Sequence, residues 1–537
     1  MTSQTGTNDD RSEFKYVGKF SPVGRQSYDM AKGVTKYSRD MTKEDMLCAK
    51  ALKSPYAHAK VEIVDTSGAE ALEGVALVLR WDDEDFQSYP AVPGSIPLLS
   101  DIANYEGDEC GVVVVARTEN ICRKALDLIQ VNWIVLPHIM DPRKAAAEGA
   151  PLMRPELNPE SNIGGALFGD TNLFERGDVA QGFEEADHII EYDVSWPNME
   201  QFRPMPPAYL AYWEKAPYDN ADYEDYLYVN GSSNSGDTGI KGFARQMMGI
   251  PRGRVRPTTF FSGGTYCNYS QQRGNFLTPY LSKRVGKPVR YPYGRRDEFF
   301  FCPPQNYHHG KIGFTDEGVI TTAQMHLIYQ QGVGYGQRLG YIFSTPTPDG
   351  GFSVTSVPNL WVRLEQVYTN GSLATTEPGP RTPDVSNVGF TRVAEVLGMD
   401  PIDVVLANIP ENGQLSLRMC IEAGKKAFNW DEKYHAPGTR SLLDGRMHGA
   451  AILVAHQGHG SAGTRSNMNL ALKHDGKVYL PYSDSIIGTY WPEMYQLVIA
   501  EETGMKPEDV IVHYSENYQN FDPCGSNEHA TNGTYSA

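Results

Sequence analysis

The sequence predicts an α+β protein with several cored domains, and three observations carry that reading. TENICRKALDLIQ, from Thr118 to Gln130, places Ile121, Ala125, Leu128 and Ile129 at helical spacing behind a threonine cap and runs straight into the strand-like VNWIVL. Two segments read as β-hairpins about acidic-glycine turns: KIGFTDEGVITTAQMHLI turns at Asp316 to Gly318, and MNLALKHDGKVYLPY turns at Asp475-Gly476. A helix-stop grammar recurs as GIPRGRV from Gly249, GMDPIDV from Gly398 and GMKPEDV from Gly504. In each copy glycine closes one helix in a left-handed conformation and proline suits the start of the next element.

Each part of the chain follows from local pattern. Residues 1–13 are polar and acidic and read as a disordered N-terminus. From Met46 to Arg80 short apolar runs alternate with turn signals; with the helix and strand that follow they form a small α+β domain ending near residue 155. Pro151 to Asn172, rich in Pro, Asn and Gly, reads as the linker. Sheets dominate what comes after. The first and last helix-stop copies each precede a polar, glycine-containing loop, which favours two similar domains over chance repetition.

Composition excludes several function classes. The 537 residues carry 48 basic against 66 acidic side chains, a formal charge of −18, and no basic patch for nucleic acid or an anionic membrane. The seven cysteines show no CxxC spacing, so an iron–sulfur cluster would belong to another chain. No 18-residue apolar run and no apolar leader occur, so no membrane span is expected and a cytoplasmic location is. His58, in SPYAHA, fits a hydrogen-bonded structural residue better than a ligand.

Longer stretches resemble a known family. ALKSPYAHAKVEIVDTSGAEALEGVALVLR (Ala51 to Arg80), YEGDECGVVVVARTENICRKALDLIQVNWIVLP, ERGDVAQGFEEADHIIEYDV, GFTRVAEVLGMDPIDVVLANI and DGKVYLPYSDSIIGTYWPEMYQLVIAEETGMKPEDVIVHYSEN resemble, in order, the molybdenum-binding large subunit of the xanthine dehydrogenase and aldehyde oxidase family. The resemblance covers the chain from about Phe14. It implies a hammerhead-like α/β domain over residues 14–155, a first molybdopterin-binding domain over 156–410, and the N-terminal part of a second, incomplete one over 411–537. It further implies a molybdenum-pyranopterin cofactor (molybdopterin, plain or as the cytosine dinucleotide) whose own sulfurs and oxygens ligate the metal, so no protein side chain is expected as a metal ligand.

Several landmarks of that family are altered here. FSGGTYCNY, from Phe261 to Tyr269, stands where relatives carry a glycine-rich loop, retaining Gly263 and Gly264 but placing Thr265 and Tyr266 next. Glycines there let backbone N–H groups approach an anion through left-handed conformations. VNGSSNSGDTG puts Ser232 or Ser233 where relatives place a glutamine, and IIGTYWPE leaves Gly488, Thr489 and Tyr490 in place of a GQG loop. A small-polar stretch survives as GSNEHATNGTYSA, with Gly525 and Ser526. TTEPGPRTP puts Glu377 and Pro378 at the place of a substrate-orienting arginine, with Arg381 just beyond. The family's general base, a glutamate in a Gly-Glu turn, has no counterpart before Ala537. Glu377, Arg381, Asp384, His456 and His459 are the weak catalytic candidates that remain, although a His-rich glycine loop such as HQGHG is more often a conformational turn.

The resemblance implies hydroxylation of an aromatic heterocycle or aldehyde-like carbon with water-derived oxygen. Electrons then pass to a 2Fe-2S iron–sulfur subunit and an FAD flavin subunit, and a second molybdopterin-domain polypeptide closes the cleft and supplies the base. Two alternatives stand beside it: hydration or phenolic chemistry on the same fold, and a non-catalytic structural subunit that has lost the site.

Overall fold

The computed structural model describes residues 14–18, 25–87, 97–164, 172–197, 204–215, 225–231, 244, 248–257, 261, 263, 273–300, 305–333, 355–371, 383–410, 415–454, 470–482 and 491–514. Along the chain run β1 (Leu47–Lys53), β2 (Ala59–Asp65), β3 (Val75–Arg80), β4 (Ile102–Ala103), β5 (Glu109–Ala116), α1 (Glu119–Leu128), β6 (Gln130–Val135), β7 (Leu173–Arg176), β8 (His188–Trp196), β9 (Ala208–Glu214), β10 (Tyr226–Gly231) and β11 (Val255–Pro257). There follow α2 (Arg273–Val285), β12 (Val289–Pro292), β13 (Asn306–Phe314), β14 (Ile320–Gly332), β15 (Asn359–Tyr368), α3 (Pro383–Leu397), α4 (Pro401–Ala407), α5 (Leu415–Phe428), β16 (Arg440–Ser441), β17 (Met447–His448), β18 (Ala471–Leu472), β19 (Val478–Tyr482), α6 (Trp491–Thr503) and β20 (Val510–Tyr514). Among the described residues no helix is long and apolar enough to cross a membrane.

The chain divides into two compact units. The first takes Met1–Leu136, Gln201–Phe300 and Ser461–Ala537; the second takes Pro137–Glu200 and Phe301–Gly460.

The first unit is built on a seven-stranded sheet in the order β11-β10-β9-β12-β1-β5-β3. Its ECGVVVVA strand, β5, is buried along its whole length between β1 and β3, as a continuous apolar run requires when both faces of a strand are covered. β1 pairs in parallel with β12, so this sheet draws strands from both sides of residue 155. A second sheet, β4-β2-β6, holds VNWIVL as its edge strand. The α1 helix starts where expected, with the Thr118 hydroxyl accepting from the Ile121 N–H at 3.3 Å. Its buried face differs from the expected one: Cys122, Ala125 and Ile129 pack inward while Leu128 is 47% exposed. Positions i, i+3 and i+7 make one stripe, and cysteine serves in it as a small apolar residue.

The remaining sheet of this unit, β18-β19-β20, begins with the hairpin expected at Asp475-Gly476. Gly476 has φ +76°, and Lys473 N donates to Lys477 O at 3.0 Å.

The second unit wraps helices against a five-stranded sheet in the order β7-β15-β14-β13-β8. Its core is continuous, from Ile312, Met325, Leu327, Val362 and Leu364 on the strands to Phe390, Val393, Ile402, Val404 and Val405 on α3 and α4. The expected hairpin at Asp316 to Gly318 is present between β13 and β14, with Gly318 at φ +78°. Behind that turn the buried Asn408 donates to the Gly318 and Val404 carbonyls, each at 2.8 Å, and accepts from Ile320 N at 2.8 Å.

Candidate functional site

Two stretches of the first unit repeat one plan. β9 and β10 form an antiparallel pair, and β11 then returns parallel to β10. β18 and β19 form an antiparallel pair, and β20 returns parallel to β19 after α6. A parallel return needs a crossover, because the second strand must start at the end where the first started. Both crossovers finish identically: a glycine at positive φ (Gly249 at +65°, Gly504 at +70°), then a proline-led 3₁₀ turn running into the strand, Arg252–Arg254 before β11 and Pro507–Asp509 before β20. The copy at Gly398 has the same left-handed glycine, at φ +65°, but Asp400 caps a complete helix at Pro401, making a corner between α3 and α4. The duplication read from the first and last copies is thus a duplication of hairpin, crossover and parallel strand.

The cofactor segments expected from sequence follow strands of this plan in chain order. Ser232 and Ser233 follow Gly231, the last residue of β10; Gly263 follows the end of β11; Gly488 to Tyr490 follow β19; Gly525 and Ser526 follow β20. In the sequence all four segments come after strands of two parallel pairs. Adjacent parallel strands bring their following loops and backbone N–H groups to the same edge, which is where open sheets of this kind bind ligands.

Of these residues Gly263 is described, and Phe261 lies beside it. Phe261 forms a parallel bridge with Tyr37, the two rings 6.1 Å apart edge to face. A Cβ at Gly263 would lie 2.7 Å from the Cβ of Met205, which is buried, and 3.5 Å from its backbone nitrogen. The φ of Gly263 is outside the left-handed region, so the expected reason for glycine is corrected at this position: close packing excludes a side chain, not backbone handedness.

Ser232, Ser233, Gly264, Thr265, Tyr266, Gly488, Thr489, Tyr490, Gly525 and Ser526 lie outside the described residues, as do Glu377, Arg381, His456 and His459. Asp384 lies in the first turn of α3. His58 precedes β2, and its carbonyl accepts from Leu136 N at 2.9 Å. Among the described residues no group of three or more His, Cys, Asp or Glu is placed to hold a metal.

A buried polar cluster in the first unit escaped the sequence reading. Glu109, at the start of β5, accepts from the Tyr291 hydroxyl at 3.0 Å and the Tyr293 hydroxyl at 2.8 Å. Asp108 pairs with Arg273 at 2.8 Å and accepts from Asn104 N at 2.9 Å, while Arg273 also donates to the Glu109 carbonyl. Burial pushes both carboxyls up, against the pull of Arg273 on Asp108 and of Lys53 on Glu109. The two phenols are pushed up by burial and then by the Glu109 charge. Burial also works to raise Asp297, but Lys53, 2.6 Å away, together with the Gly294 N–H and Lys50, outweighs it and holds that carboxyl below its ordinary range. The readable signal was an acid pair, Asp108-Glu109, separated only by Cys110-Gly111 from a run of four valines.

Comparison with known proteins adds to this geometry. Residues 32–137 match the family model for the aldehyde oxidase and xanthine dehydrogenase a/b hammerhead domain, and residues 167–409 match that for the molybdopterin cofactor-binding domain. The nicotinate dehydrogenase large molybdopterin subunit of Eubacterium barkeri is 27% identical over 75% of this chain and 91% of its own length. The xanthine dehydrogenase molybdenum-binding subunit of Escherichia coli O157:H7 is 22% identical over 89% of this chain and 65% of its own. The crystal structure of quinoline 2-oxidoreductase from Pseudomonas putida 86 shares the fold, with a TM-score of 0.74 at 20% identity, over 92% of this chain and 66% of that one. The chain therefore spans about two thirds of the length of the last two proteins. The order expected from sequence, a hammerhead domain and then a molybdopterin-binding domain with mixed helices and sheets, is borne out.

Proposed function

The chain belongs to the molybdenum-binding xanthine dehydrogenase and aldehyde oxidase family, and from that premise we propose that it is the molybdopterin-binding subunit of an oxidoreductase hydroxylating an electron-poor carbon of an aromatic nitrogen heterocycle. One observation carries the cofactor part of this reading: the four expected cofactor segments follow the carboxyl ends of two parallel strand pairs built on one plan. Strand ends of this kind fit a group held through its phosphate and polar edges by loop N–H groups and small hydroxyls. The heterocycle is supported by the names of two similar proteins, since nicotinate and quinoline are both nitrogen heteroaromatics.

When bound, the molybdenum cofactor supplies the redox centre that accepts electrons from the substrate carbon. This chain's part is to hold and orient. Ser232 and Ser233, next in sequence after β10, are the candidate hydroxyl donors, and Gly263 and Gly264 are the candidate positions where a backbone N–H meets the cofactor with no side chain in the way. Gly488, Thr489, Tyr490, Gly525 and Ser526, later in the sequence than β19 and β20 respectively, are the candidates for the same role. Glu377, Arg381, Asp384, His456 and His459 are the substrate-side candidates within the same reading. The domain boundaries at residues 155 and 410, the cytosine dinucleotide form, a 2Fe-2S chain, an FAD chain, a second molybdopterin-domain polypeptide and a cytoplasmic location belong to it as well.

The test is metal and pterin analysis of the native complex, followed by turnover with pyridine and quinoline carboxylates. Molybdenum and pterin in near-equal amounts, with one electron pair delivered to an acceptor per product, is the expected result. Pterin and molybdenum absent from the intact complex would leave only a structural role. Product formed without any acceptor being reduced would move the chemistry to hydration.

A further inference from the structure

We propose that His435 and His448 form a binding site for a divalent transition-metal ion on the second unit. The site stands apart from the cofactor reading above, and neither histidine belongs to the expected cofactor or substrate set.

The two imidazoles meet nitrogen to nitrogen. His435 Nε2 lies 2.7 Å from His448 Nδ1, with the ring centroids 5.0 Å apart. At that distance one nitrogen carries a hydrogen and the other a lone pair. The second nitrogen of His435 decides which. Its Nδ1 lies 3.0 Å from the Ala436 carbonyl and 3.2 Å from the Thr439 hydroxyl oxygen, whose own hydrogen goes to the same carbonyl at 2.6 Å. Both neighbours accept there, so Nδ1 is the N–H and Nε2 holds the lone pair. Metal-bound histidines are held in this way, one nitrogen tied to a backbone carbonyl or carboxylate and the other presented to the ion.

Anchored backbone presents both rings. Tyr434, next to His435, stacks on the buried Trp430 with centroids 4.7 Å apart, and the Trp430 indole N–H donates to Asp400 at 2.8 Å. His448 lies on β17, paired with Arg440 of β16, and Leu442 N donates to Arg446 O at 2.7 Å to close the ribbon's turn. Imidazole suits zinc, nickel and copper. An ion bonded to both nitrogens needs metal–nitrogen distances of about 2.0–2.1 Å, so the two nitrogens part by roughly 0.6 Å on binding. The ribbon allows that, because each of its strands is two residues long and Met447 and Gly449, on either side of His448, are exposed. The hydrogen on His448 Nδ1 passes to Nε2 of the same ring as the ion takes its place, and water fills the remaining coordination positions. Among the described residues no group of three or more His, Cys, Asp or Glu could hold a metal, and Arg440 puts a positive charge opposite His448. Both features limit the affinity of the site to that of a two-histidine clasp.

The test titrates zinc chloride into the full chain in its native complex, with His435→Gln and His448→Gln beside the parent. Calorimetry reads the affinity, and hydrogen exchange of peptides covering residues 434–449 reads the place. Glutamine keeps a polar group at each position, and melting without zinc checks that both variants are folded. The expected result is saturable binding by the parent, exchange slowed over residues 434–449, and affinity lower by roughly tenfold or more in each variant. No zinc uptake by the parent overturns the proposal. So does uptake undiminished in both variants, or exchange slowed only elsewhere in the chain; the contact is then a hydrogen bond between two histidines and nothing more.

Discussion

At Gly263 the constraint is a single close contact, and it can be measured. Adding a Cβ forces it to 2.7 Å from Met205 Cβ, too close for any rotamer change to relieve. Gly263→Ala should therefore cost about 1–3 kcal/mol of stability, the usual penalty of overpacking. In a Met205→Gly background the obstructing atom is gone and the cost should largely vanish; equal costs in both backgrounds, by urea denaturation, would return the explanation to backbone conformation. Two buried glutamates make opposite predictions with pH. Burial works to raise Glu365, but hydrogen bonds from His326 at 3.1 Å and Arg363 at 2.8 Å outweigh it and hold it low. A depressed carboxyl contributes stability above its unfolded pKa of about 4.3 and loses it as the pH falls through the folded value. Glu365→Gln should be less stable than the parent at pH 7, with the gap closing as the pH is lowered from 5 towards 3. Glu109 is raised, burial being the largest cause, so its contribution is complete at low pH and lost as the pH rises through the folded value. Glu109→Gln, which does not titrate, should gain on the parent as the pH rises above the unfolded value of about 4.3. Parallel stability curves for parent and variant would refute either assignment.

Among the elements, the β13–β14 hairpin shows how a turn that is local in sequence comes to depend on a residue far along the chain. Asn408, at the end of α4, fills three hydrogen bonds to the turn and to its own helix and is 1% exposed. Asn408→Ala leaves a buried N–H and two carbonyls without those partners, so a loss of about 2–4 kcal/mol is expected in chemical denaturation. A loss below 1 kcal/mol would mean that water or a shift of the turn replaces them. The hairpin itself was legible because Asp316 to Gly318 carry its whole instruction within a few residues. The same holds for the glycines at 249, 398 and 504, each found at positive φ. What could not be read locally is pairing between distant strands. β1 with β12, β10 with β11 and β14 with β15 are parallel, so no shared turn announces any of them. Leu128 was assigned inward and Cys122 overlooked because hydrophobicity alone ranks leucine first, whereas the stripe is chosen by the helix's register on β5 and β1. Asp108-Glu109 stayed hidden for a related reason: an acid pair in a sequence looks solvated until Arg273, Tyr291 and Tyr293 arrive from a distant part of the chain.

For the molecule as a whole, the resemblance conveyed the order of domains but not the interleaving, in which the first unit gathers Met1–Leu136, Gln201–Phe300 and Ser461–Ala537. That gathering has a thermodynamic consequence. The strand pairs β10–β11 and β19–β20, from which the expected cofactor segments depart, belong to this one unit although more than two hundred residues of chain separate them. A ligand held by segments after both pairs binds only when both are folded, so it stabilises both together by mass action. At a hundred times its dissociation constant the gain is about 2.7 kcal/mol, equivalent to exchange slower by about a hundredfold for amides that open only with the unit. Hydrogen exchange on cofactor-loaded and cofactor-depleted complex should thus show matched protection of peptides spanning Tyr226–Gly231, Val255–Pro257, Val478–Tyr482 and Val510–Tyr514. Protection confined to one pair would mean that only one of the two repeats meets the cofactor, and the common plan would then be an inheritance of the fold without a shared role in binding.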